Sequence, residues 1–190
     1  MVLGLMLAVF GLGAPALAQT DEPVRLSGHR FTDPPQAMPR RDDTEWLAMA
    51  PAGPDREALR IALKWHNAFF TGDREAIKSI AGDPLYLDAP GVELDQYLDS
   101  VMSKLCCVEK VEDRPFQIAD IVIEPAQDPV TGEPRYSRGI TGLNLGPNDR
   151  IVVLVAGVPG ADGTLQPVEG IVHYIRYVPE GIYQIAGTWD

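Results

Sequence analysis

The chain has 190 residues, of which 45% are hydrophobic, and it carries a formal net charge of −11. This length suits one domain with a sizeable hydrophobic core. The acidity repels phosphate groups, so it argues against nucleic acids and anionic membranes as partners.

Residues 1–18 form an uncharged, mostly apolar segment that ends in Ala16-Leu17-Ala18. This small-x-small ending is the pattern that signal peptidases accept. The segment is short and is interrupted by glycines and Pro15, which disfavours a membrane-spanning helix. We therefore expect a signal peptide over 1–18 and an exported protein, periplasmic or secreted, with no membrane attachment after cleavage.

Residues 19–54 contain six prolines and scattered charges of both signs. Such a segment buries too little apolar surface to offset its ordering entropy, which predicts a linker or a strap lying on the domain. Within it, residues 43–50 predict a short helix that Trp46 attaches to the domain.

The main domain is expected over 55–190 and begins with an amphipathic helix. Asp55 is the predicted N-cap and Gly72 the predicted C-terminal stop. At 100° per residue, the apolar side chains share one broad face, and His66 lies within it and should point inward. The residues of that face are Ala58, Leu59, Ile61, Ala62, Trp65 and Phe69.

Two further helices and a short strand follow. Asp73 caps the second helix and Gly82 ends it, and residues 84–88 predict a strand. Apolar residues at helical spacing predict a third helix over 93–106. They are Leu94, Tyr97, Leu98, Val101 and Leu105.

From residue 116 onward the pattern changes to strands separated by Gly- and Pro-containing turns. The short connections predict antiparallel hairpins, and the helices should pack on one sheet face. A twisted sheet around helices tends to enclose a conical pocket. The predicted strands are 116–124, 135–143, 150–158, 169–178 and 182–189.

The two cysteines, Cys106 and Cys107, are adjacent. Neighbouring cysteines rarely bond to each other, because the bridge strains the intervening peptide. We expect small buried hydrophobic side chains, with an interchain disulfide or a redox thiol as alternatives.

Motifs for common cofactor and metal chemistry are missing from the sequence. It contains no glycine-rich phosphate loop, GxSxG, HExxH or CxxC motif. Nucleotide, serine-hydrolase and zinc chemistry are therefore disfavoured, and we expect neither a cofactor nor a metal site.

Two segments carry a family resemblance: WHNAFFTGDREAI at 65–77, and GIVHYIRY at 170–177 with its return strand GIYQI at 181–185. They resemble the NTF2-like superfamily, which includes SnoaL-type cyclases and steroid isomerases. The resemblance covers about residues 55–190. It implies an α+β cone with three N-terminal helices packed on a curved antiparallel sheet. The superfamily includes enzymes, binding proteins, transport factors and assembly modules, so the fold does not select a function.

The resemblance also suggests catalytic candidates. Asp88 lies near the general-base position of the steroid isomerases, although a gapless comparison places Ala89 there and Trp65 at their oxyanion-binding tyrosine. Related hydratases pair a pocket histidine with a carboxylate, which makes His66, His173 and Asp120 candidates for a dyad. The alternatives are a turn cap for Asp88, hydrogen-bonded core histidines, and a solvated face for Asp120.

We expect a non-catalytic module that binds a small apolar molecule or a protein partner. The predicted ligand-binding residues are Trp65, His66, Phe69, Tyr97, His173 and Tyr177. The alternative is an isomerase, dehydratase or cyclase that uses a histidine and a carboxylate.

Strand 150–158 is apolar on both faces, which predicts a homodimer through that strand. Alternatively, the 19–54 strap covers its second face within one chain, through Trp46 and Leu47.

Overall fold

The computed structural model describes residues 23–27, 37–87, 91–108, 110–135, 142–178 and 181–189. The predicted signal peptide 1–18 and the candidate base Asp88 lie outside these ranges. Within them, no helix is both long and apolar enough to span a bilayer.

Four α-helices and six strands are found in the described ranges. The helices are α1 (Asp43–Met49), α2 (Pro54–Thr71), α3 (Arg74–Lys78) and α4 (Leu94–Leu105), followed by a 3-10 helix at Val111–Asp113. The strands are β1 (Val24–Arg25), β2 (Ala81–Leu87), β3 (Gln117–Pro125), β4 (Arg150–Pro159), β5 (Leu165–Val178) and β6 (Ile182–Trp189).

The strands form one sheet in the order β1-β3-β4-β5-β6-β2. All neighbours are antiparallel except β2, which runs parallel to β6. The α+β prediction is confirmed, and the expected antiparallel sheet is found apart from its parallel edge strand β2. The arrangement is similar to the NTF2-like cone.

Helix α2 crosses one face of the sheet and forms the centre of the main core. Its apolar face, with Leu59, Ala62 and Trp65, packs with Val152 and Ile175 of the sheet. The amphipathic pattern of this helix therefore identified its buried face correctly.

The start of α2 differs from the sequence prediction. Gly53 is the N-cap residue and Pro54 opens the helix, so Asp55 lies inside the first turn. Its carboxylate instead accepts a hydrogen bond from Arg150 Nε at 2.6 Å, which joins α2 to β4. The predicted stop is confirmed, because Gly72 caps the helix in the left-handed conformation at φ 74°.

Helix α3 begins as predicted and ends early. Asp73 Oδ1 accepts a hydrogen bond from Ala76 N at 2.9 Å, which confirms the cap. The helix stops at Lys78, not at Gly82, and Gly82 lies within β2. A Cβ on Gly82 would lie 2.9 Å from the Ile185 carbonyl oxygen, so glycine allows β2 to approach β6 closely.

Four of the five strands predicted after residue 116 are found with shifted or identical bounds, and the earlier strand predicted at 84–88 is found as β2. The predicted strand 135–143 is not supported, because Arg135 and residues 142–143 are not in a strand and the rest lies outside the described ranges. β3 pairs directly with β4.

The described part of the 19–54 segment packs on the domain. β1 pairs with β3, and Met38 exchanges two backbone hydrogen bonds with Leu165, each of 2.8 Å. The predicted helix at 43–50 is confirmed as α1, and its Trp46 is fully buried in the main core.

Both faces of β4 are covered within one chain. Opposite the helices, Leu143, Leu145 and Tyr174 cluster with Ile151 of β4. Trp46 packs on the helix side, so the strap does not cover the second face through that residue as the alternative supposed. The homodimer stays a prediction. The exposed second face of β4 that motivated it is not found, because Leu143, Leu145 and Tyr174 cover it within one chain.

Cys106 and Cys107 are bonded to each other, so the expectation that one or both are small buried hydrophobic side chains with a free thiol is wrong. The peptide bond between them is cis. Both sulfur atoms lie over Gly72, where a Cβ would be 3.1 Å from Cys107 Sγ and 3.3 Å from Cys106 Sγ. The absence of a side chain at Gly72 leaves room for this pair beside the end of α2.

Candidate functional site

A cavity of about 300 Å³ lies between α2, α4 and the sheet, and its walls are mainly aromatic and aliphatic. We call it the aromatic cavity. It is lined by Trp65, His66, Phe69, Phe70, Tyr97, Val101, Lys104, Leu105, Phe116, Ala156, Glu169, Ile171, His173 and Thr188.

Helix α2 builds one wall with two aromatic pairs at i, i+4 spacing, which places the members of each pair one above the other. The Trp65 and Phe69 rings are 5.7 Å apart, and the His66 and Phe70 rings are 5.1 Å apart. Tyr97 of α4 continues the wall, 6.2 Å from Phe69. These edge-to-face contacts give the cavity a defined, apolar boundary.

His173 of β5 is the most deeply buried polar residue of the aromatic cavity, with 1% of its surface exposed. Its Nδ1 lies 3.1 Å from Thr188 Oγ1, and its ring is 6.5 Å from Trp65. Its Nε2 is buried and has no hydrogen-bond partner in the part of the chain that the structure describes. A ligand with one polar group could therefore satisfy this nitrogen.

Both histidines are neutral at physiological pH. Burial, together with the nearby Arg114 charge, lowers the pKa of His66 to about 4. Burial, together with His66, lowers the pKa of His173 to about 3. Groups with such low pKa values are weak bases at neutral pH and suit hydrogen bonding better than proton abstraction.

The structure brings together five of the six predicted ligand-binding residues, namely Trp65, His66, Phe69, Tyr97 and His173. Tyr177 does not line the cavity. It lies four residues beyond His173 on β5, about 13 Å along the strand, where it packs against Tyr183 at 5.1 Å and is 38% exposed.

Asp120 does not form the dyad that the resemblance suggested. Its Oδ1 accepts hydrogen bonds from Ser27 N at 3.2 Å and from Ile121 N at 2.7 Å. No hydrogen bond joins it to either histidine in the described ranges. The solvated alternative is also wrong, because Asp120 is only 2% exposed, at a bulge of β3.

Sequence reasoning missed Thr188, the partner of His173. Counting back from the 178–182 turn would pair His173 with Gly187, but a register shift between Tyr174 and Ile175 places Thr188 opposite. Glu169 was missed too, although it lies four residues before His173 on β5, so both side chains are on the same face of the strand.

A second cavity, of about 290 Å³, adjoins the first, because His66 and Phe116 line both. We call it the polar cavity. Its other lining residues are Arg41, Asp42, Asp43, Thr44, Asn67, Val111, Arg114, Gln117 and Ile118.

Asn67 connects the charged groups of the polar cavity. Its amide nitrogen donates to the Asp43 carboxylate, and its amide oxygen accepts from Arg114 Nη1. Burial raises the pKa of Asp43 and lowers the pKa of Arg114. The Arg114 guanidinium also lies over the Phe70 ring, 4.9 Å from its centroid. Across the described ranges, no three His, Cys, Asp or Glu side chains cluster as metal ligands.

No protein-family model matches the sequence, and no curated protein matches it significantly. Two solved structures are similar. The helical cell shape determining protein Pgp2 from Campylobacter jejuni is 13% identical, with a TM-score of 0.46 over 72% of this chain and 41% of that chain. The present chain therefore spans about two fifths of the Campylobacter protein.

The second similar structure is a putative ketosteroid isomerase from Shewanella frigidimarina NCIMB 400. It is 14% identical, with a TM-score of 0.39 over 72% of this chain and 95% of that chain. Both likenesses concern the fold, and neither bears on the activity of this chain.

Proposed function

We propose that this NTF2-like domain is a binding module whose aromatic cavity takes a small, largely apolar molecule with one hydrogen-bonding group. The observation that carries the proposal is the unpartnered Nε2 of His173, a residue that lines a mainly aromatic and aliphatic cavity. Ligand pockets commonly combine an apolar lining with a few placed polar groups.

The expected hydrogen bond follows from the surroundings of His173. If the Thr188 hydroxyl donates to Nδ1, the imidazole proton resides on Nε2 and is offered to a ligand acceptor. If Nδ1 carries the proton, Nε2 accepts from a ligand hydroxyl. A phenol or alcohol satisfies either arrangement, because a hydroxyl both donates and accepts.

The described residues favour binding over catalysis. The two histidines are poor bases at neutral pH because of their low pKa values. Glu169 lines the same cavity, but it lies about 13 Å from His173 along β5, beyond hydrogen-bond reach. An isomerase, dehydratase or cyclase would need a base and an acid within reach of one substrate.

The matched ligands p-cresol and toluene test the proposal by isothermal titration calorimetry. Both should bind, and p-cresol should bind about two- to tenfold more tightly because of its hydrogen bond to His173. His173→Leu should reduce p-cresol affinity to the level of toluene.

A cavity-filling variant provides the control for location. Leu105→Trp should abolish the binding of both ligands, whereas Val168→Trp, at a position 56% exposed on β5, should leave it unchanged. If neither ligand binds at millimolar concentration, or if binding survives Leu105→Trp, the proposal is wrong.

Export and assembly are separate proposals. Cleavage after Ala18 predicts that the exported protein begins at Gln19, which intact-mass measurement of the periplasmic or secreted protein tests. The native mass of the same preparation distinguishes the predicted homodimer from a monomer.

A further inference from the structure

Three buried nitrogen atoms that have no hydrogen-bond partner in the described part of the chain belong to residues that line the polar cavity. They are Arg41 Nη1, Arg114 Nε and Gln117 Nε2. Arg114 and Gln117 are each only 7% exposed. Buried donors without acceptors are rare in folded proteins because each loses its hydrogen bonds to water.

The carboxylates of the same cavity accept no hydrogen bond from these three nitrogen atoms. Asp42 accepts from Glu45 N at 2.9 Å as the cap of α1, and Asp43 accepts from Asn67. Neither arginine forms an ion pair in the described ranges. Arg114 Nη1 therefore donates to Asn67, whereas Arg114 Nε has no acceptor.

Three apolar side chains also line the polar cavity, namely Val111, Phe116 and Ile118. A ligand that fits this arrangement has a planar acceptor group for the guanidinium and a short hydrocarbon portion. A carboxylate has the geometry that a guanidinium recognises. The two arginines and two aspartates of the cavity already balance in charge, so a monoanion is accommodated more readily than a more highly charged anion.

We propose that the polar cavity binds a small aliphatic carboxylate, with its carboxyl group on Arg114 and Gln117 and its chain against Val111, Phe116 and Ile118. The site is distinct from the aromatic cavity and does not depend on the function proposed for it. Inorganic phosphate lacks the hydrocarbon portion and carries more charge, so it should bind more weakly.

Hexanoate is the probe, and hexan-1-ol and inorganic phosphate are the comparison ligands. The arginine Nε–Hε signals of the ¹⁵N-labelled protein report on Arg114 directly by nuclear magnetic resonance. The titrations use the Leu105→Trp variant, in which the aromatic cavity is filled. In this variant hexanoate should shift the Arg114 signal saturably below tens of millimolar, hexan-1-ol should not, and phosphate should bind at least about fivefold more weakly.

Two variants test the donors, and a third controls for overall charge. Arg114→Met and Gln117→Glu should each weaken hexanoate binding at least about tenfold. The first removes the cation, and the second adds a carboxylate that pairs with the Arg114 guanidinium in place of hexanoate. Gln117→Glu keeps the side-chain shape and so covers the case in which Arg114→Met fails to fold. Arg60→Met removes an exposed arginine of α2 and should leave the affinity unchanged.

Three results would overturn the proposal. One is the absence of a saturable hexanoate shift, which would mean that water satisfies the donors. Another is equal binding of hexan-1-ol, which would make the site merely apolar. The third is an equal loss of affinity in Arg60→Met, which would make the effect one of net charge.

Discussion

The two cavities share a wall but differ in chemistry, and helix α2 supplies both sides. Trp65 and Phe69 face the aromatic cavity, Asn67 faces the polar cavity, and His66 lines both. Successive residues of a helix are separated by about 100°, so adjacent side chains can enter different environments. Helix α2 thus lies between a mainly apolar cavity and a charged one, and the neutral His66 imidazole and the Phe116 ring line both.

The aromatic wall should contribute most to stability. Trp65 is 1% exposed and contacts Phe69 and His173. Trp65→Ala should lower the free energy of unfolding by about 3–5 kcal/mol, because it removes buried surface and leaves a void. Urea denaturation measures this, with Trp65→Phe as a milder control. A loss below about 1 kcal/mol would show that this wall is not tightly packed.

The shared histidine should make stability depend on pH. The pKa of His66 is lowered to about 4 in the folded protein, so between that value and the ordinary value of 6.5 the unfolded chain binds more protons. Stability should therefore be complete above pH 6.5 and decline as the pH falls towards 4, by about 3 kcal/mol for this residue.

The difference between the wild type and His66→Gln isolates this contribution from the carboxylates that titrate nearby. Urea midpoints measured from pH 7 to pH 4.5 should fall more steeply for the wild type. Parallel curves would contradict the assignment of a buried neutral His66.

Asn67 of the polar cavity should contribute less to the free energy of unfolding than Trp65 of the aromatic wall. Asn67→Leu leaves the Asp43 carboxylate and Arg114 Nη1 without their shared partner, which should cost about 1–3 kcal/mol. Lys64→Leu, one turn earlier, removes only an exposed hydrogen bond to Ser79 and should change stability by about 0.5 kcal/mol or less. If Asn67→Leu lowered the free energy of unfolding more than Trp65→Ala did, the aromatic wall would not be the larger contributor to stability.

The smallest expected effect is that of the disulfide beside the end of α2. A bond between adjacent residues closes almost no chain, so it restricts the unfolded state little. Replacing Cys106 and Cys107 with alanine should change the unfolding free energy by less than about 1 kcal/mol. Alkylation followed by mass spectrometry should label no thiol before reduction and two after it. Labelling before reduction would contradict the bond.

Much of the fold could be predicted from local patterns. The apolar periodicity of α2, the Gly72 stop, the Asp73 cap and strand 182–189 depend on neighbours within a few residues, which the sequence displays directly. The same periodicity identified five of the aromatic cavity residues, because a helix face and a strand alternation are set by local geometry. Tyr177 was wrongly included, since alternation gives the face of a strand and not the position along it.

Sequence alone therefore determined the α+β class, the buried face of α2 and the inward orientation of His66. Tertiary structure decided the rest, because those features depend on residues far apart in the chain. A register shift paired His173 with Thr188, Ser27 engaged Asp120, and Gly72 accommodated the bonded cysteines. The polar cavity was invisible in the sequence for the same reason: a donor lacks an acceptor only once the chain has folded around it.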